Sequence, residues 1–406
     1  MVFKAWRKET IPVIGIFTSL VGLFSAHMSV LAMGIFLLGL AYLSSYLARQ
    51  TLTTLVLKSQ LVQPHAEIGE AILAELVVQN PMPWPILDVQ WKIDLPDNVD
   101  ASGPGTALMA PGGNRQTLTG TLVVGARQRV RIQYHLKGQV RGRWNIGPGS
   151  LTFHDPLSWN ELVREDQQLS KLSVWPRRLV LPHGFWSANP QEGEVRGHPW
   201  DPLDPARIVG IRPYQPGDPI RQIAAHASAR MARLMVRQLD PVAERSVEVL
   251  IHPKTTDAHW HGIDRPLLED TISLAASVAE TSVASHYITG LSGSGAIPGH
   301  IRGFTLASAK HPDAGDFLTA LAWLQPSGTM DDDLAHVLAR LNTRLSPNTQ
   351  LVYVSPYWSD TLSRYLEPRI RRGLALTVLT LGNVGPPIPP WVRTVWRFHE
   401  GTWSHA

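Results

Sequence analysis

Two apolar runs without charged residues open the chain. Residues 11–26 and 30–48 contain no Asp, Glu, Lys or Arg, and only three residues, His27 to Ser29, separate them. Each run is near the lower limit of the roughly 17–25 residues that a helix needs to cross a bilayer. The short separator predicts a tight helical hairpin, in which the glycines of both runs let the helices approach closely. We therefore predict a transmembrane helical hairpin that anchors the chain through residues 1–58.

The basic residues around the two runs predict an orientation. They are Lys4, Arg7 and Lys8 before the first run and Arg49 and Lys58 after the second, and the turn carries no formal charge. Because positively charged flanks stay in the cytoplasm, both ends of the hairpin and everything downstream are expected there, with the hairpin in the inner (cytoplasmic) membrane. A cleaved signal peptide, with a basic start and a small-residue end near residues 24–26, is the alternative. The second apolar run, which follows at once, favours the anchor.

Downstream, the period of the apolar positions changes from helical to alternating. Three runs show the alternation most clearly, at residues 72–78, 89–95 and 130–136, and turn residues interrupt them at 80–81, 96–98 and 111–113. Short alternating runs bounded by turns are typical of an antiparallel β-sandwich, and we predict one over residues 59–178. No catalytic constellation is visible in it, so its expected role is that of a spacer or a binding platform.

Strand and helix patterns alternate in the last part of the chain, over residues 246–406. The predicted strands are residues 246–252, 287–291, 301–306, 351–355, 374–381 and 393–398, and the predicted helices are residues 267–285, 316–324, 331–341 and 360–371. This alternation predicts a mostly parallel α/β sheet of Rossmann type with helices on both faces. A loop rich in Pro, Gly and acidic residues at 190–205 marks a boundary within the linker and motif-rich block at 179–245.

The length and composition of the chain exclude several kinds of functional site. The 406 residues suggest two or three domains, and the absence of cysteine excludes disulfides, thiolate metal sites and cysteine nucleophiles. A formal net charge of +4 is too small to indicate nucleic-acid binding. The arginines are nevertheless concentrated: seven of them, with no lysine and three aspartates, lie between Arg196 and Arg237. This favours a local site for carboxylates or phosphates.

One segment of this arginine-rich stretch carries a recognisable motif. Residues 212–223 read Arg-Pro-Tyr-Gln-Pro-Gly-Asp-Pro-Ile-Arg-Gln-Ile, followed by Ala-Ser-Ala-Arg at 227–230 and Leu-Met-Val-Arg at 234–237. The block resembles the signature of the widespread bacterial domain-of-unknown-function family fifty-eight (DUF58), in which Arg-x-Tyr-x-x-Gly-Asp leads into Arg-x-Ile, Ser-Ala-Arg and a Leu-x-Val-Arg/Lys strand. The two-helix anchor and the segments at 141–144, 155–157 and 174–177 also resemble the layout of that family.

The resemblance implies a fold and a set of partners. Members are membrane-anchored proteins whose C-terminal part resembles a von Willebrand factor A domain, and they are commonly encoded beside MoxR-type AAA+ ATPases and other von Willebrand A proteins. It therefore implies a scaffold or adaptor in a chaperone-like assembly, bound to the lipid bilayer and to such proteins. No enzymatic activity is general to the family. A cell-envelope binding protein that faces outward is a further hypothesis.

The chain departs from the family pattern at two places. Ala224, Ala225 and His226 stand where relatives carry a polar residue, Trp and Lys. After the first strand of the α/β domain, residues 252–256 read His-Pro-Lys-Thr-Thr. A von Willebrand A metal site uses Asp-x-Ser-x-Ser instead, because hard oxygen ligands bind Mg²⁺. We therefore expect no metal and no cofactor.

The motif also supplies a candidate partner-binding site. Its residues are Arg212, Tyr214, Asp218, Arg221, His226, Ser228 and Arg230. Arginine pairs with carboxylates or phosphates through two parallel hydrogen bonds, and Asp218 would hold one of the arginines in place. The competing interpretation is structural: residues 216–218 form a turn, Asp218 bonds the nearby backbone, and the arginines brace neighbouring domains.

The histidines raise an enzymatic alternative. A His-dependent hydrolase would use His226, or His252, His259 and His261, together with Asp218. The spacing matches no helical metal motif, and a solvated loop is the competing interpretation of residues 252–264. Two other segments are interpreted as structural. Residues 290–295 are predicted to be a loop without the following helix that phosphate binding requires. The three aspartates at 331–333 are predicted to cap the next helix.

Overall fold

The chain divides into two compact units, Met1–Trp175 and Pro176–Ala406. The computed structural model describes residues 10–103, 106–109, 115–154, 161–166, 169–186, 203–241, 246–257, 262–309, 313–345, 349–382, 386–399 and 401–405. Most of the predicted boundary loop lies outside the described residues, as do the turn at 111–113 and the segment at 155–157.

The first unit begins with two apolar helices, α1 (Thr10–Phe24) and α2 (Met28–Thr54). By length and composition α2 can cross a membrane, with a mean hydropathy of 1.9 over its apolar stretch, whereas α1 is shorter. The two helices meet at small residues: a Cβ atom added to Gly34 would lie 2.3 Å from Oγ of Ser19. Small residues allow helices to approach this closely in lipid, where close packing drives their association.

Short strands build a β-domain after α2. They are β1 (Val56–Leu61), β2 (His65–Glu67), β3 (Ala71–Gln79), β4 (Ile86–Pro96), β5 (Val99–Ser102), β6 (Thr106–Met109), β7 (Arg115–Val124), β8 (Arg129–Gly138), β9 (Gly142–Ile146), β10 (Gly149–His154), β11 (Glu161–Asp166) and β12 (Ser170–Trp175). They form sheets in the orders β1-β3-β8-β5, β11-β10-β4-β7-β6 and β2-β12-β9. The alternation predicted for β4 is present, because Val89, Trp91, Ile93 and Leu95 are all buried. The prediction of purely antiparallel pairing is wrong for β2 and β12, which run parallel.

The last turns of α2 belong to the core of the β-domain. Leu52 and Leu55 are buried in the same apolar cluster as the inward side chains of β3, β4 and β8. Trp84 donates its indole N–H to Oγ1 of Thr51 (3.3 Å), and Arg164 donates to the carbonyl oxygen of Leu52. The helix therefore continues directly into the domain core.

In the second unit, the arginine-rich motif folds into a two-stranded antiparallel ribbon. β13 (Leu203–Pro213) pairs with β14 (Met235–Pro241). Their connection contains a 3-10 turn (Ile220–Gln222) and the short helix α3 (Ala225–Met231). We name residues 203–241 the arm.

An α/β domain follows the arm. Its strands are β15 (Ser246–Ile251), β16 (Ile288–Gly293), β17 (Phe304–Ala309), β18 (Thr349–Val354), β19 (Ala375–Leu381), β20 (Thr394–His399) and β21 (Thr402–His405), and its helices are α4 (Arg265–Ala284), α5 (Gly315–Trp323), α6 (Met330–Leu341) and α7 (Asp360–Ile370). The sheet order is β17-β16-β15-β18-β19-β20-β21. The five inner strands run parallel, and the edge strands β17 and β21 run antiparallel. The predicted mostly parallel sheet is thus present.

Both faces of this sheet are buried. On one face Leu250, Leu351 and Tyr353 pack in a cluster with side chains of α6 and α7. On the other face Val249 and Val352 are fully buried as well. Burial on both faces explains why β18 is apolar without alternation over residues 351–354.

Two segments of the sheet differ from the prediction. The predicted strand at 287–291 extends to Gly293, because residues 292–293, which were predicted only as part of a loop, also pair in parallel with β15. Strand β21, which was not predicted, pairs with β20 at the other edge. A glycine is required where β16 passes Glu248, since a Cβ atom on Gly290 would lie 2.0 Å from a carboxylate oxygen. The glycines of this segment therefore serve close packing of the sheet.

Glu248 is a buried carboxyl group in the central strand, and its titration makes stability depend on pH. Its Oε1 accepts a hydrogen bond from Ser292 (2.5 Å), and burial raises its pKa from 4.5 to about 7. The folded state binds more protons than the unfolded state between these values. The stability contribution of this group is therefore fully present below pH 4.5 and is lost as the pH rises through about 7.

We expect Glu248→Gln to remove this dependence while keeping a hydrogen-bond partner for Ser292. Relative to the wild type, the variant should gain about 3 kcal/mol of unfolding free energy between about pH 4.5 and about pH 8. Urea unfolding of both detergent-solubilised proteins, followed by tryptophan fluorescence, measures the difference. Parallel pH profiles for the two proteins would contradict the prediction.

Candidate functional site

The order of the parallel strands reverses between β15 and β18. In open α/β sheets, ligands bind beyond the carboxyl ends of the strands at such a reversal. Residues 252–256 follow β15 there, and residues 355–358 follow β18. We call this place the switch point.

His252 lies at the switch point and is fully buried. Its Nδ1 is 2.6 Å from Oγ of Ser294, and its Nε2 is 3.6 Å from Oδ1 of Asp331. Burial lowers the pKa of the imidazole, so the ring is neutral at neutral pH. The solvated loop predicted for this stretch is wrong for His252. Its backbone N–H donates to the carbonyl of Val354 (3.0 Å) and so extends the sheet.

An ion pair occupies the outer side of the switch point. Nζ of Lys254 is 2.8 Å from Oδ2 of Asp331 and 4.0 Å from the centre of the Tyr357 ring. The Lys254 side chain is only 14 % exposed. Contact with the His252 ring, together with this ammonium, holds the pKa of the Asp331 carboxyl well below its usual range. A fixed positive charge from the chain itself therefore faces Asp331.

The three aspartates at the start of α6 have different surroundings. Asp331 binds Lys254, Asp332 is exposed, and Asp333 is buried and accepts a hydrogen bond from Ser327 (2.5 Å). The prediction that the aspartates cap α6 is wrong. Thr329 is the N-cap residue, and the aspartates lie in the first turn of the helix. The carboxylates still meet the positive end of the helix dipole. Within the described ranges, no group of three or more His, Cys, Asp or Glu could hold a metal ion.

Ser294, His252 and Asp331 are the residue types of a hydrolytic triad, and they are arranged in that order. Ser294 and His252 are both fully buried, however, so a substrate has no access to the hydroxyl oxygen. These contacts tie β15, β16 and the start of α6 together. His259 and His261, the other members of the predicted histidine group, lie outside the described residues.

Arg212 and Asp218 form a bidentate ion pair within the arm. Nη1 and Nη2 of Arg212 lie 2.7 and 2.6 Å from the two oxygens of Asp218, and the backbone N–H of Gln215 donates to Asp218 as well (2.8 Å). The hydrogen bond from Arg212, followed by that from Gln215, lowers the pKa of Asp218. Gly217 adopts a φ of +106° within this turn, which favours glycine. Asp218 thus makes the backbone contact that the structural interpretation expects and the arginine contact that the partner-binding interpretation expects, and it engages Arg212 instead of His226.

Ser228 and Tyr214 also shape the arm. Oγ of Ser228 donates to the carbonyl of Ala224 (2.9 Å) and accepts from the backbone N–H of Met235 (2.9 Å), which joins α3 to β14. The backbone N–H of Tyr214 donates to the carbonyl of Leu234 (3.0 Å). The ends of the motif are thus held together by hydrogen bonds between its own residues.

The other predicted site residues, Arg221, His226 and Arg230, are exposed. Two further arginines of the arm that were not among the predicted site residues, Arg233 and Arg237, are also exposed. Five large apolar side chains of the arm are exposed as well: Ile208 50 %, Ile211 50 %, Ile220 80 %, Met231 57 % and Leu234 54 %. The sequence signal for this surface is the interleaving of arginine with large apolar residues.

Asp331→Asn tests the contribution of the switch-point ion pair to stability. A charged hydrogen bond that is half exposed contributes about 1 kcal/mol, so the variant should be less stable than the wild type by about that amount at neutral pH. Because the pKa of Asp331 is lowered on folding, its contribution is present above the unfolded value of 3.8 and is lost as the pH falls below it. The difference should therefore shrink in acid.

Asp332→Asn is the matched control, since Asp332 shares the first turn of α6 but is exposed. Thermal unfolding of the three proteins across the pH range makes the comparison. Equal melting temperatures for the two variants at neutral pH would show that the ion pair with Lys254 contributes nothing.

Comparisons with known proteins complete the description of the site. No curated protein matches the chain. Among solved structures, it is similar to the major pilin SpaD of Corynebacterium diphtheriae, at 11 % identity, 27 % of this chain, 34 % of that chain and a TM-score of 0.22. It is also similar to a cohesin module from a family 33 glycoside hydrolase of Clostridium perfringens, at 10 % identity, 30 % of this chain, 98 % of that chain and a TM-score of 0.22. The chain thus spans about a third of the pilin, and such low TM-scores carry no argument about fold or function.

A family model matches part of the second unit. It covers the arm from residue 210 onwards and the α/β domain to just beyond the end of α7. Residues 210–372 match the family described as "Protein of unknown function DUF58", which supports the family resemblance predicted from the motif.

Proposed function

We propose that the protein is a membrane-anchored scaffold or adaptor whose arm docks a protein partner, a MoxR-type AAA+ ATPase in a chaperone-like or complex-assembly system. The observation that carries the proposal is the exposed surface of the arm. Arg221, Arg230 and Arg233 are exposed there beside Ile220 and Met231. Arginine and methionine are enriched at protein interfaces, where exposed apolar side chains are buried on binding.

The charge of the arm defines the complementary surface of the partner. Asp218 is paired with Arg212, which leaves the exposed arginines to be matched by the partner. An acidic patch satisfies this requirement, because complementary charge accelerates and orients association. Guanidinium groups also bind carboxylates through two parallel hydrogen bonds. The surrounding apolar side chains would exclude water from these pairs.

The α/β domain is proposed to be a von Willebrand A-like domain that docks without a metal ion. The sheet order with an antiparallel β17 and parallel inner strands supports this assignment. Lys254 follows β15 where metal-binding relatives carry the Asp-x-Ser-x-Ser sequence, and its ammonium already pairs with Asp331. The α/β domain itself should therefore need no divalent cation to dock, and only the Mg²⁺ that accompanies ATP on the partner should make capture sensitive to chelators.

The membrane anchor is proposed to be a hairpin of α1 and α2 in the bacterial inner membrane. The length and hydropathy of α2 support a span, and the small-residue contact between Gly34 and Ser19 supports close packing of the two helices in lipid. The basic residues before α1 and after the apolar run of α2 support a cytoplasmic location of both units.

The double variant Arg221→Glu/Arg230→Glu tests the docking surface. Reversing two exposed charges at an interface costs about 1–2 kcal/mol or more in total, so capture of the partner should fall about tenfold or more. The tagged full-length protein is extracted in mild detergent with and without ATP, and the captured proteins are quantified by mass spectrometry. An AAA+ ATPase whose capture depends on nucleotide is the expected partner.

Arg364→Glu is the matched control, because Arg364 is an exposed arginine on α7, outside the arm. It should leave capture unchanged, and all three proteins should remain in the membrane fraction. Undiminished capture by the double variant would rule out the arm as the docking surface. If the tagged wild-type protein captures no other protein, the adaptor proposal is overturned.

Two alternatives make different predictions. A hydrolase that depends on His226 would lose turnover on His226→Ala, but the geometry of Asp218 and the burial of His252 give this hypothesis no support. An envelope protein that faces outward would be cleaved by protease added to intact cells. A cytoplasmic adaptor would be cleaved only after lysis.

A further inference from the structure

The length of α2 exceeds what a bilayer requires. Its 27 residues extend about 40 Å at a rise of about 1.5 Å per residue. The hydrocarbon core is about 30 Å thick, which about 20 residues cross. If Met28 lies at the far surface of the hydrocarbon core, the near surface of that core is close to Ala48. The turns from Ala48 to Thr54 then lie in the headgroup region.

Those same turns are buried by protein. Ala48 and Leu52 are only 3 % and 4 % exposed and belong to the core of the β-domain. The Trp84 side chain bonds Thr51 (3.3 Å), and Arg164 bonds the carbonyl of Leu52. Parts of the β-domain that cover these turns must therefore lie at the depth of the headgroups.

The part of the β-domain around Trp84 is held rigidly. Asn80 is fully buried; its Nδ2 donates to the carbonyls of Trp84 (2.8 Å) and Gly125 (3.0 Å), and its Oδ1 accepts from the N–H of Met82 (3.0 Å). The N–H of Arg127 donates to the carbonyl of Met82 (2.8 Å). One asparagine thus joins the turns that precede β4 and follow β7. We name residues 80–88 and 123–129 the α2-proximal end.

The exposed surface of the α2-proximal end suits a membrane interface. Leu87 and Val123 are 63 % and 59 % exposed, and Arg127 and Arg129 are exposed beside them. The acidic residue of the α2-proximal end is Asp88. Apolar side chains with a surplus of arginine bind the headgroup boundary of a bilayer that contains anionic lipids. A tryptophan beside them is typical of the same depth.

We propose that the α2-proximal end of the β-domain rests on an anionic lipid surface, with Leu87 and Val123 in the headgroup region. This inference rests on the proposed span of α2. The bilayer is the occupant of this apolar surface because α2, which enters the lipid, is packed against the same end of the domain. The β-domain is then mounted on the membrane in one orientation, and does not hang from a flexible tether.

Single-cysteine labelling tests the proposal on the full-length chain. The protein has no cysteine, so Leu87→Cys, Val62→Cys and Phe36→Cys each give one site for a bimane fluorophore. Val62 is 56 % exposed and follows β1, whose six residues lead away from α2 over about 20 Å. It is the matched control for Leu87. Phe36 lies in α2 and is 66 % exposed.

The labelled proteins are placed in nanodiscs of phosphatidylcholine and phosphatidylglycerol, with nitroxide lipids spin-labelled at the headgroup or in the acyl chain. Headgroup nitroxides should quench the Leu87 label about twofold or more and leave the Val62 label nearly unquenched. Acyl-chain nitroxides should quench the Phe36 label. Replacing the anionic lipid with phosphatidylcholine should weaken quenching at Leu87 and leave quenching at Phe36 unchanged.

The outcomes separate the two proposals. If the Phe36 label is not quenched, the membrane span itself fails. If the Phe36 label is quenched but the Leu87 label behaves like the Val62 label, the span stands and the lipid contact is overturned. A Leu87 label whose emission is shifted to the blue without quenching would mean that protein, such as a second copy of the chain, covers this end. That result would overturn the inference as well.

Discussion

The ion pair between Lys254 and Asp331 is the interaction on which the chemistry of the second unit depends. It lies where the strand order reverses, which is the usual ligand site of an open parallel sheet. The ammonium is 2.8 Å from the carboxylate, and His252 is buried against the same carboxylate. The chain thus supplies its own cation to the carboxylate at this place. A neutral buried imidazole and a paired carboxylate offer a ligand little, which is consistent with the proposal that docking uses the surface of the arm.

The arm divides its arginines between structure and surface. Arg212 holds Asp218 and so closes the turn that contains Gly217. This turn leads into the 3-10 turn and α3, which carry Arg221 and Arg230. A surface held in place before binding loses less conformational entropy when a partner arrives. The structural and functional interpretations of the motif are therefore compatible: one arginine and the aspartate shape the segment, and the other arginines remain available to a partner.

Local patterns in the sequence predict the elements well and their long-range contacts poorly. Alternation in β4 is a local signal of burial on one face of a sheet. The continuous apolar run in β18 is a local signal of burial on both faces. The glycine-rich end of β16 and the strand β21 have weak local signals, because pairing with β15 and β20 decides them. His252 was expected in a solvated loop for the same reason: its burial depends on Ser294 and Asp331, 42 and 79 residues away.

Charge pairing in the candidate site could likewise not be predicted from the sequence. The six-residue spacing of Arg212 and Asp218 is compatible with a turn, but only the folded arm shows that the carboxylate is engaged by this arginine. The excess of arginine over aspartate is visible in the sequence, whereas the exposure of Arg221 and Arg230 is visible only in the folded arm.

The junction between α2 and the β-domain bears directly on what an anchor can do. Because Leu52 and Leu55 are core residues of the domain, the last turns of α2 cannot swing without opening that core. Exposing two fully buried leucines would cost about 3–6 kcal/mol, which is a large fraction of the stability of an ordinary domain. Helix α2 and the β-domain therefore move as one body. The scaffold proposed above, with an ATPase pulling on it, would need this property, whereas a tether that only raises local concentration would not.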